Sequence, residues 1–411
     1  MTDKKQHKIE QVVILAAGNS SRMWPLTDSI HKAELEILGK PIIYWTLDNL
    51  RENGIKNIIV VIGKEAKSFA KILESYKEQR GARLKIVIQE KPLGMGDAIL
   101  SCKEHLKEEF FVINSNQLEA AFLMKEMQNF NGDAILACKK TTTPWLYGMV
   151  KISNGQVRAV VEKPKTIDDD AKKILGIYRF NDKFVDFLAN YIPTEYALED
   201  ALNDFCKDHV VKACEIEEEI ENTLKYPWHL LNLQKIIMKN MPMTVGDNVT
   251  ISPQAIIKGR VIIEDGALIG DFALIEGPAY IGRNAIVGRF CTVRANSSLE
   301  EGVQIQSYGE VRGSVIMKNS TMHSGFIGDS IIGENCQIGA GIITANLRLD
   351  RKNINFKIDS KIKINTDTNR LGTIVGHGCQ IGIGVKTMPG VAIKSDSIVM
   401  PGEIVKKNLT T

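Results

Sequence analysis

The sequence predicts an α/β domain with a doubly wound sheet over residues 1–240, followed by a parallel β-helix of six-residue repeats over residues 241–411. Three observations support this prediction. Short apolar runs alternate with helical patterns in the first part, which is typical of a mostly parallel sheet covered by helices on both faces. In the second part a branched apolar residue returns at every sixth position, and a polar insertion at residues 344–372 interrupts that period.

The first part alternates strands with helices along the chain. The expected strands are residues 11–17, 55–62, 84–89 and 110–113. The expected helices are residues 41–53, 66–76 and 97–105, with a linking helix over 230–239. Gly18 ends the first apolar run, which indicates a buried strand that leads into a loop.

The second part has a period that neither a helix nor an alternating strand has. Eleven consecutive sixth positions carry a branched aliphatic residue, namely Val245, Ile251, Ile257, Ile263, Ile269, Ile275, Ile281, Val287, Val293, Leu299 and Ile305. The period resumes at Val315, Thr321 and Ile327, slips by one at Ile332, and recovers from Val375 onwards. This spacing fits a parallel β-helix, in which each coil has three sides and one inward aliphatic residue per side. A single coil cannot bury its apolar face, so many coils are expected to stack.

Composition and charge narrow the classes of function. The net charge is +3 over 411 residues with no dense basic stripe, which argues against nucleic acid as a partner. No apolar run approaches the roughly 18 residues that span a membrane, and the first residues lack a signal-peptide core. The seven cysteines form no CxxC pair, which favours reduced thiols in the cytoplasm over disulfides or a zinc site.

A small-residue loop follows the first strand and carries candidate phosphate ligands. Residues 15–27 read Leu-Ala-Ala-Gly-Asn-Ser-Ser-Arg-Met-Trp-Pro-Leu-Thr, with Gly18 at the turn and Arg22 shortly after it. Backbone N–H groups at such a turn approach phosphate oxygens closely, and Arg22 adds a charge-assisted hydrogen bond. Lys32 supplies a second positive charge downstream.

Further motifs accompany this loop along the chain. They are Gln89 before Pro92-Leu93-Gly94-Met95-Gly96-Asp97-Ala98, then Tyr147-Gly148, then Glu162-Lys163-Pro164, and finally Pro227-Trp228-His229-Leu230-Leu231. Together with the loop, they closely resemble the sugar-1-phosphate nucleotidylyltransferase family over most of residues 11–240. The resemblance implies a Rossmann-like nucleotidyltransferase fold for the first domain.

The resemblance also implies a reaction and a set of ligands. A sugar 1-phosphate attacks the α-phosphorus of a nucleoside triphosphate, here UTP or dTTP, and pyrophosphate leaves. Arg22 and Lys32 would hold the triphosphate, and Lys163 would hold the sugar phosphate. The full set implied for nucleotide and sugar is Gly18, Arg22, Lys32, Gln89, Gly94, Gly148, Glu162 and Lys163. Catalysis in the family is mainly positioning and charge neutralisation.

Two positions depart from the metal site of that family. The family has an aspartate that binds Mg²⁺ shortly after the strand ending near residue 113, where this chain has Asn116. A second metal-binding aspartate precedes the Pro-Trp motif by four residues, where this chain has Thr223. Mg²⁺ prefers anionic oxygens, and an amide and a hydroxyl neutralise none of its charge. We therefore expect weakened or lost nucleotidyl transfer, with Asp97 as the neighbouring carboxylate.

A second set of motifs lies in the β-helix. His323 occurs in Met-His-Ser-Gly-Phe-Ile-Gly-Asp, and Asn346 opens the polar insertion downstream. These segments resemble the acetyltransferase domain of the bifunctional hexosamine-1-phosphate acetyltransferase/uridylyltransferases, especially archaeal ones, and the order of domains is the same. The match covers residues 245–411. Phe326 departs from it, because the family usually has a tyrosine there, and this affects the choice of substrate more than the reaction.

The chemistry of acetyl transfer explains why these residue types matter. An amine must lose a proton to attack a thioester, and a histidine is suited to take it, so His323 is the candidate general base. Asn346 would orient His323 or the substrate by hydrogen bonds. By resemblance, the sugar phosphate is clamped by Arg294, Arg312 and Lys352. The resemblance further implies a left-handed β-helix, a homotrimer, and acetyl-CoA lying along the coils in a groove between subunits.

Three functions are consistent with these patterns. The first is acetyl transfer to hexosamine 1-phosphate by a β-helix fused to a nucleotidyltransferase domain of uncertain competence. The second is an active nucleotidylyltransferase with a structural β-helix, and the third is a non-catalytic regulatory subunit. Structural interpretations compete with the functional ones. His31, His229 and His377 are interpreted as structural or surface residues, and Asn346 has the alternative role of capping a turn.

Overall fold

The computed structural model describes residues 9–28, 30–141, 144–164, 172–217, 224–358 and 363–410. By contacts between residues, the chain divides into two compact units. The first unit comprises Met1–Asn19 and Ile42–Asn222, and the second comprises Ser20–Pro41 and Thr223–Thr411. None of the described helices combines the length and the apolar character needed to traverse a bilayer.

Strands and helices alternate from residue 42 to residue 140, and beyond that point strands also follow one another directly. In chain order the strands are β1 Gln11–Ala16, β2 Glu36–Ile37, β3 Lys40–Pro41, β4 Asn57–Gly63, β5 Leu84–Gln89, β6 Glu109–Asn114, β7 Ala134–Lys140, β8 Gly148–Ser153, β9 Gln156–Glu162, β10 Lys172–Asn181 and β11 Val211–Glu215. The helices are α1 Ile42–Glu52, α2 Lys67–Arg80, α3 Gly94–Leu100, α4 Ala120–Gln128, α5 Asp182–Leu188, α6 Ala197–Asp208 and α7 His229–Asn240. The helix expected over 97–105 begins earlier, at Gly94, and a 3₁₀ turn at Lys103–His105 follows it.

Nine strands of the first unit form one sheet in the order β5-β4-β1-β6-β10-β7-β11-β9-β8. β5, β4, β1 and β6 are parallel, as the α/β pattern predicts. β10 runs antiparallel to β6 and β7, and β8 and β9 form an antiparallel hairpin. The hairpin turn Asn154-Gly155 has φ angles of 51° and 68°, as a two-residue type I′ turn requires. The sheet is therefore parallel in its first half and mixed in its second.

The parallel half of this sheet positions the first candidate site. The residues Val12, Val13 and Ile14 of β1 are fully buried, because helices cover both faces of a parallel sheet. β1 and β6 are neighbours, so the segments that follow their carboxyl ends leave the sheet side by side. Open α/β sheets bind ligands at that edge. Gly18 follows β1 there, and Asn116 follows β6.

Short strands then repeat along the second unit. They are β12 Thr244–Val245, β13 Thr250–Ile251, β14 Ile256–Lys258, β15 Val261–Ile263, β16 Leu268–Ile269, β17 Leu274–Glu276, β18 Ala279–Ile281, β19 Ile286–Arg289, β20 Thr292–Val293, β21 Ser297–Leu299, β22 Gln304–Ser307, β23 Gly309–Arg312, β24 Val315–Ile316, β25 Thr321–Met322, β26 Gly325–Gly328, β27 Ile331–Ile332, β28 Gln337–Ile338, β29 Ile342–Thr344, β30 Asn355–Lys357, β31 Lys363–Asn365, β32 Thr373–Val375, β33 Gln380–Ile381, β34 Lys386–Thr387, β35 Val391–Ile393, β36 Ile398–Val399 and β37 Ile404–Val405. Except for β30 and β31, each strand from β15 onwards pairs in parallel with the equivalent strand of the preceding coil. The strands therefore form three parallel eight-stranded sheets.

This arrangement is the parallel β-helix that the six-residue period predicts. Ile263 pairs with Ile281, and Ile281 pairs with Leu299, one coil apart in each case. The inward aliphatic residues stack into one continuous core, and Ile269, Ile275, Val287, Val293 and Ile305 are at most 1% exposed. Stacking buries the apolar side chains that a lone coil would leave exposed, so neighbouring coils stabilise one another.

The register differs from the expectation where the period resumes. Val315 and Thr321 were expected to face inward, but Leu299 pairs with Ile316 and Ile305 pairs with Met322. The expectation was wrong by one residue at these two positions. The side that ends at Ile316 is one residue shorter than a hexapeptide, and Gly313 turns it with a φ of 56°. Ile327 faces inward as expected.

The polar insertion leaves the coils after β29 and returns before β32. It carries the antiparallel hairpin β30–β31. The amide of Leu371 donates to the carbonyl of Asn346 at 3.0 Å, which closes the excursion at its base. Phe356 of β30 is fully buried, and its ring centroid lies 5.1 Å from that of Trp228. The insertion is therefore a packed element, anchored at both ends.

Contacts between residues do not divide the chain at residue 240, where the sequence predicted the domain boundary. The 20–41 segment and α7 both belong to the second unit. Gln234 of α7 is fully buried and donates to the carbonyl of Asn296 at 2.8 Å, so this helix packs on the coils. The division into 1–240 and 241–411 remains a proposal about sequence modules, and the packing follows different bounds.

Candidate functional site

His323 lies at a corner of the β-helix, between β25 and β26. Its backbone N–H donates to the carbonyl of Ile338 at 2.9 Å, and its carbonyl accepts from the N–H of Ser307 at 3.3 Å. These bonds fix the backbone between the coils above and below. The imidazole itself is exposed, and its Nδ1 lies 3.5 Å from the Ser324 hydroxyl. A rigid backbone therefore presents an accessible ring, as a general base requires.

Asn346 belongs to a polar cluster on the neighbouring side of the coils. Its Nδ2 donates to Asp329 Oδ2 at 2.6 Å, and a guanidinium nitrogen of Arg312 lies 3.8 Å from the same oxygen. Phe326 packs its ring edge over Gly328, where any side chain would collide with it. Asp329 therefore orients Asn346. Sequence reasoning missed Asp329, although it lies in the same octapeptide as His323 and follows Gly328 at a coil turn.

The remaining cations expected at the sugar phosphate already have carboxylate neighbours. Arg294 Nε lies 2.9 Å from Glu310 Oε1, with both side chains more than a third exposed. The exposed Lys352 uses its backbone N–H, which donates to Asp350 Oδ1 at 3.2 Å. Exposed ion pairs contribute little to stability, so an anionic ligand would replace such a carboxylate at a small cost in free energy. The structure brings Arg312 and Phe326 to the Asn346 cluster through adjacent strands β23 and β26.

A shallow groove of about 390 Å³ lies on the later coils, and Thr321, two residues before His323, is among the residues that line it. It runs over one face of the later coils, along β25, β28, β33 and β36. Its lining residues are Thr321, Gln337, Ile338, Gly339, Gln380, Ile381, Gly382, Ile398, Val399, Met400 and Pro401. Because Ile338 both lines the groove and accepts the His323 N–H, the groove and the imidazole share one coil corner.

Three aromatic rings form a ladder on the coil corner that leads to His323. Phe272, Phe290 and Tyr308 lie one coil apart, with ring centroids 5.1 and 5.2 Å apart and ring planes within 11° of parallel. The rings are 57%, 47% and 69% exposed in a single copy of the chain. Gly309 pairs with Gly325, so the next coil places Ser324 above Tyr308. The ladder is a flat apolar surface that ends at the candidate base.

In the first unit, glycine is required at Gly94, and at Gly148 a side chain would displace the carboxylate of Glu162. Gly94 has a φ of 92°, and a Cβ there would lie 2.5 Å from the carbonyl of Thr194. A Cβ on Gly148 would lie 2.9 Å from Glu162 Oε2, whereas around Gly18 the space is open. Gln89 is buried and donates to the carbonyl of Gly94 at 3.1 Å and to Asp97 Oδ2 at 2.7 Å. Gln89 thus braces the turn that the resemblance assigns to base reading.

Lys163 sits in a compact acidic and aromatic surrounding. Its Nζ lies 3.1 Å from Glu162 Oε1, 3.4 Å from the Tyr196 hydroxyl and 5.1 Å from the centre of the Tyr196 ring. Glu199, one helical turn after Tyr196, is buried, and its Oε2 has no hydrogen-bond partner among the described residues. Burial and the charge of Glu162 raise the pKa of Glu199 to about 7. Sequence reasoning did not single out Glu199, since only its burial distinguishes it from a surface acid.

Asn116 is buried after the carboxyl end of β6, and Thr223 lies outside the described residues. The neighbouring Ser115 Oγ is buried with no hydrogen-bond partner among the described residues. Across the described parts of the chain, no three His, Cys, Asp or Glu side chains come together as a metal ion requires. Asp97, the neighbouring carboxylate, accepts the amide of Gln89.

Arg22 and Lys32 lie in the 20–41 segment of the second unit. Arg22 is exposed on a short 3₁₀ turn, and Lys32 Nζ donates to the carbonyl of Leu224 at 3.0 Å. Burial and the charge of Arg22 lower the pKa of Lys32 to about 8. His31 caps the turn that carries Lys32, because its Nδ1 accepts from the N–H of Ala33 at 3.2 Å.

The two halves of the chain define a class of two-part transferase, in which an α/β nucleotidyltransferase domain precedes hexapeptide coils. The nucleotidyl transferase family matches residues 11–223, and the bacterial transferase hexapeptide (six repeats) family matches residues 242–277. The chain is 35% identical over 391 residues to the bifunctional protein GlmU of Methanococcus aeolicus, covering 94% of this chain and 92% of that protein. It is 33% identical over 412 residues to the bifunctional sugar-1-phosphate nucleotidylyltransferase/acetyltransferase of Sulfurisphaera tokodaii, covering 96% and 97%.

The chain belongs to this family of bifunctional sugar-1-phosphate nucleotidylyltransferases/acetyltransferases. The resemblance read from the motifs is confirmed, and so is the fold class of a Rossmann-like nucleotidyltransferase domain followed by a left-handed β-helix of hexapeptides. The protein is thus a transferase of the sugar-1-phosphate class.

Proposed function

We propose that the β-helix transfers an acetyl group from acetyl-CoA to the amine of a hexosamine 1-phosphate. One observation carries this proposal: the exposed His323 is fixed by backbone bonds to two coils, and its backbone partner Ile338 lines a groove along the later coils. The sugar phosphate binds near Arg312 and the Asn346 cluster, with Arg294 and Lys352 as further cations, and acetyl-CoA lies in the groove.

In the proposed reaction the amine nitrogen attacks the carbonyl carbon of the thioester. A ring nitrogen of His323 takes the proton that the amine loses. The carbon–sulfur bond then breaks, the thiolate leaves and takes up a proton, and the amide product remains. Asn346, oriented by Asp329, contacts the sugar or the developing oxyanion through its amide. Phe326 supplies an apolar contact where relatives with tyrosine would have a hydroxyl.

The experiment measures thiol release from acetyl-CoA with glucosamine 1-phosphate and with galactosamine 1-phosphate. Removal of a general base lowers kcat by about 10²- to 10⁴-fold, and we expect His323→Ala to fall in that range. His105→Ala, which removes another exposed histidine, is the matched control. If His323→Ala keeps the activity of His105→Ala, His323 is not the base. If neither sugar phosphate is acetylated by the unaltered protein, the proposed reaction is wrong.

We also propose that this site is completed in a homotrimer. The ladder of Phe272, Phe290 and Tyr308 exposes apolar rings on the corner that leads to His323. Exposed apolar patches of this kind mark association surfaces. A neighbouring subunit that covers the ladder would also form a wall of the acetyl site.

We propose the cytoplasm as the compartment of this protein, because all seven cysteines are buried free thiols.

A second candidate activity is nucleotidyl transfer from UTP or dTTP to a sugar 1-phosphate. The observation that favours it is the 20–41 segment, in which Arg22 is exposed and Lys32 Nζ donates to the carbonyl of Leu224. The family uses Mg²⁺ in general, but the donors described after β6 are the neutral Ser115 and Asn116. Neutral donors fit a hard dication poorly. Arg22 and Lys32 would neutralise the phosphate charge instead.

The test follows pyrophosphate release with each triphosphate and sugar 1-phosphate, with and without added Mg²⁺. We expect release to be slow, insensitive to chelation, and abolished by Lys32→Ala. Lys77→Ala, a surface lysine on α2, is the control. Complete absence of pyrophosphate from every pair would exclude this activity. Triphosphate binding without turnover would instead favour a regulatory role for the first domain.

A further inference from the structure

The β2–β3 hairpin at residues 36–41 has a two-residue turn with both φ angles positive. Leu38 has a φ of 52° and Gly39 a φ of 79°, the geometry of a type I′ turn. A Cβ on Gly39 would collide with the hydroxyl of Tyr280 in the β-helix. The turn therefore packs directly on the coils of its own unit, and glycine is required for both its dihedral angle and its closeness.

Glu300 receives this turn. Its side chain is 1% exposed, Oε1 accepts from the N–H of Leu38 at 2.9 Å, and Oε2 accepts from the N–H of Gly39 at 2.8 Å. The Ser298 hydroxyl donates to Oε1 as well. Two successive N–H groups that face one carboxylate form an anion-binding concavity, which is how a buried acid is accommodated. Glu300, a residue of the coils, therefore binds a turn that lies far away in the sequence.

Three more coil residues hold the same segment. His377 Nε2 lies 2.9 Å from the carbonyl of Leu26, the Ser395 hydroxyl donates to the carbonyl of Pro25 at 3.1 Å, and Lys318 Nζ lies 3.3 Å from Glu36. Arg22 precedes these anchored positions, and Lys32 lies between Leu26 and Glu36. Within the segment, the N–H of Lys32 donates to Ser20 Oγ at 3.0 Å, which ties the two ends of this stretch together.

We propose that Glu300 is a positioning residue for the nucleotide-binding segment. Its carboxylate sets the place of the β2–β3 hairpin, and through it the place of Lys32. This inference rests on the proposed triphosphate role of Arg22 and Lys32, and it makes nucleotide binding by the 20–41 segment depend on a residue of the β-helix. The β-helix is then more than an assembly scaffold for the nucleotidyltransferase half.

The test compares Glu300→Gln and Glu300→Ala with Glu301→Gln, which alters the adjacent, exposed acid. Three quantities are measured on the full chain: calorimetric affinity for UTP and dTTP without metal, acylation of Lys32 by an N-hydroxysuccinimide ester at pH 8, and acetyl transfer. Losing both acceptors leaves two buried N–H donors unpaired, so we expect Glu300→Ala to weaken triphosphate binding about tenfold or more.

Glu300→Gln keeps one acceptor oxygen, and we expect it to lie between Glu300→Ala and the unaltered protein. The rate of Lys32 acylation should differ from that of the unaltered protein in both Glu300 variants and be unchanged in Glu301→Gln. The rate of acetyl transfer should stay within about twofold in all three variants. Unchanged affinity and unchanged Lys32 acylation in Glu300→Gln would overturn the inference. Equal loss of acetyl transfer and triphosphate binding would also overturn it, because it would mean a purely structural role.

Failure of the proposed nucleotide role gives a different result. If the unaltered protein binds neither triphosphate, the role of Arg22 and Lys32 is wrong, and Lys32 acylation alone decides whether Glu300 positions the segment. Faster exchange of the Leu38 and Gly39 amides in Glu300→Gln than in Glu301→Gln provides an independent readout of the same grip.

Discussion

At the scale of single residues, Lys32 leads to a prediction about the pH dependence of nucleotide use. Its pKa is lowered to about 8 by burial and by the charge of Arg22. As pH rises through 8, Lys32 therefore loses the charge that attracts a triphosphate. We expect kcat/KM for the triphosphate to fall above about pH 8, because this ratio reports groups of the free enzyme. In Lys32→Arg the fall should be absent, since arginine stays charged.

The measurement is pyrophosphate release, or triphosphate affinity if turnover is too slow, between pH 6.5 and pH 10. The Lys77→Ala protein should retain the fall and serves as the control. A profile that stays flat to pH 10 in the unaltered protein would contradict a lowered pKa for Lys32.

His31 leads to a prediction about stability. Burial and the neighbouring Lys32 charge lower its pKa from 6.5 to about 3, so it stays neutral and caps its turn. Between pH 6.5 and 3 the unfolded chain binds a proton that the folded chain does not, so stability falls as pH falls. The slope approaches about 1.4 kcal/mol per pH unit. His31→Asn, which also accepts at a cap, should show a smaller slope in urea unfolding between pH 7 and 4.5. Equal slopes in the two proteins would argue against this role.

Sequence reasoning proposes residues whose chemistry is distinctive, and it misses residues whose role depends on a distant neighbour. His323 stays a prediction, made because its segment resembles that of an acetyltransferase domain and because an imidazole suits base catalysis. Asp329 was not predicted, because a Gly-Asp pair at a coil turn is common, and only the fold brings its carboxylate within 2.6 Å of Asn346. The role of Glu300 was invisible for the same reason, since its partners Leu38 and Gly39 lie far away in the chain.

At the scale of elements, periodicity predicted the β-helix but gave the wrong register at Val315 and Thr321. The period of six marks the inward position wherever one apolar residue stands between polar ones. Val315 and Ile316 are both apolar and both buried, so the pattern alone did not distinguish them. Backbone pairing with Leu299 selects Ile316. Local pattern therefore predicts the element, and long-range pairing decides the register.

The stacked core leads to a prediction with an internal control. Ile305 is fully buried within the column of inward aliphatic residues, whereas Ile256 is 52% exposed on an early coil. Ile305→Ala leaves a cavity, and we expect it to lower the free energy of unfolding by about 2–5 kcal/mol. Ile256→Ala should change it by about 0.5 kcal/mol or less. Guanidinium unfolding followed by circular dichroism measures both, and equal effects would contradict the inward and outward assignment.

At the scale of the whole molecule, the sequence predicted two modules but not how the chain is shared between them. Residues 20–41 carry motifs of the first module, yet they pack in the second unit. Segment composition does not report such packing, because it depends on Glu300, Lys318, His377 and Ser395, all distant in sequence. The burial of Glu300 and the requirement for glycine at Gly39 have one explanation, because the fold brings the two residues into contact.

The exposed ladder leads to the prediction at this scale. If Phe272, Phe290 and Tyr308 are covered by a second subunit, replacing Phe290 by serine removes apolar area from the interface. We expect Phe290→Ser to shift the assembly toward monomer at micromolar concentration, and acetyl transfer to fall in proportion to the trimer that remains. Ile192→Ser, which removes an 82% exposed apolar residue from the first unit, should leave both unchanged.

Sedimentation velocity and acetyl transfer, measured on the same samples across a dilution series, test this coupling. Activity that follows the trimer population would mean that the acetyl site needs a neighbouring subunit beside His323. Activity that persists in a monomeric Phe290→Ser protein would mean that one chain holds the whole site, and the ladder would then serve assembly alone. Phe290 is two coils away from the imidazole and contacts Tyr308 directly, so its loss acts on the interface without touching the proposed base.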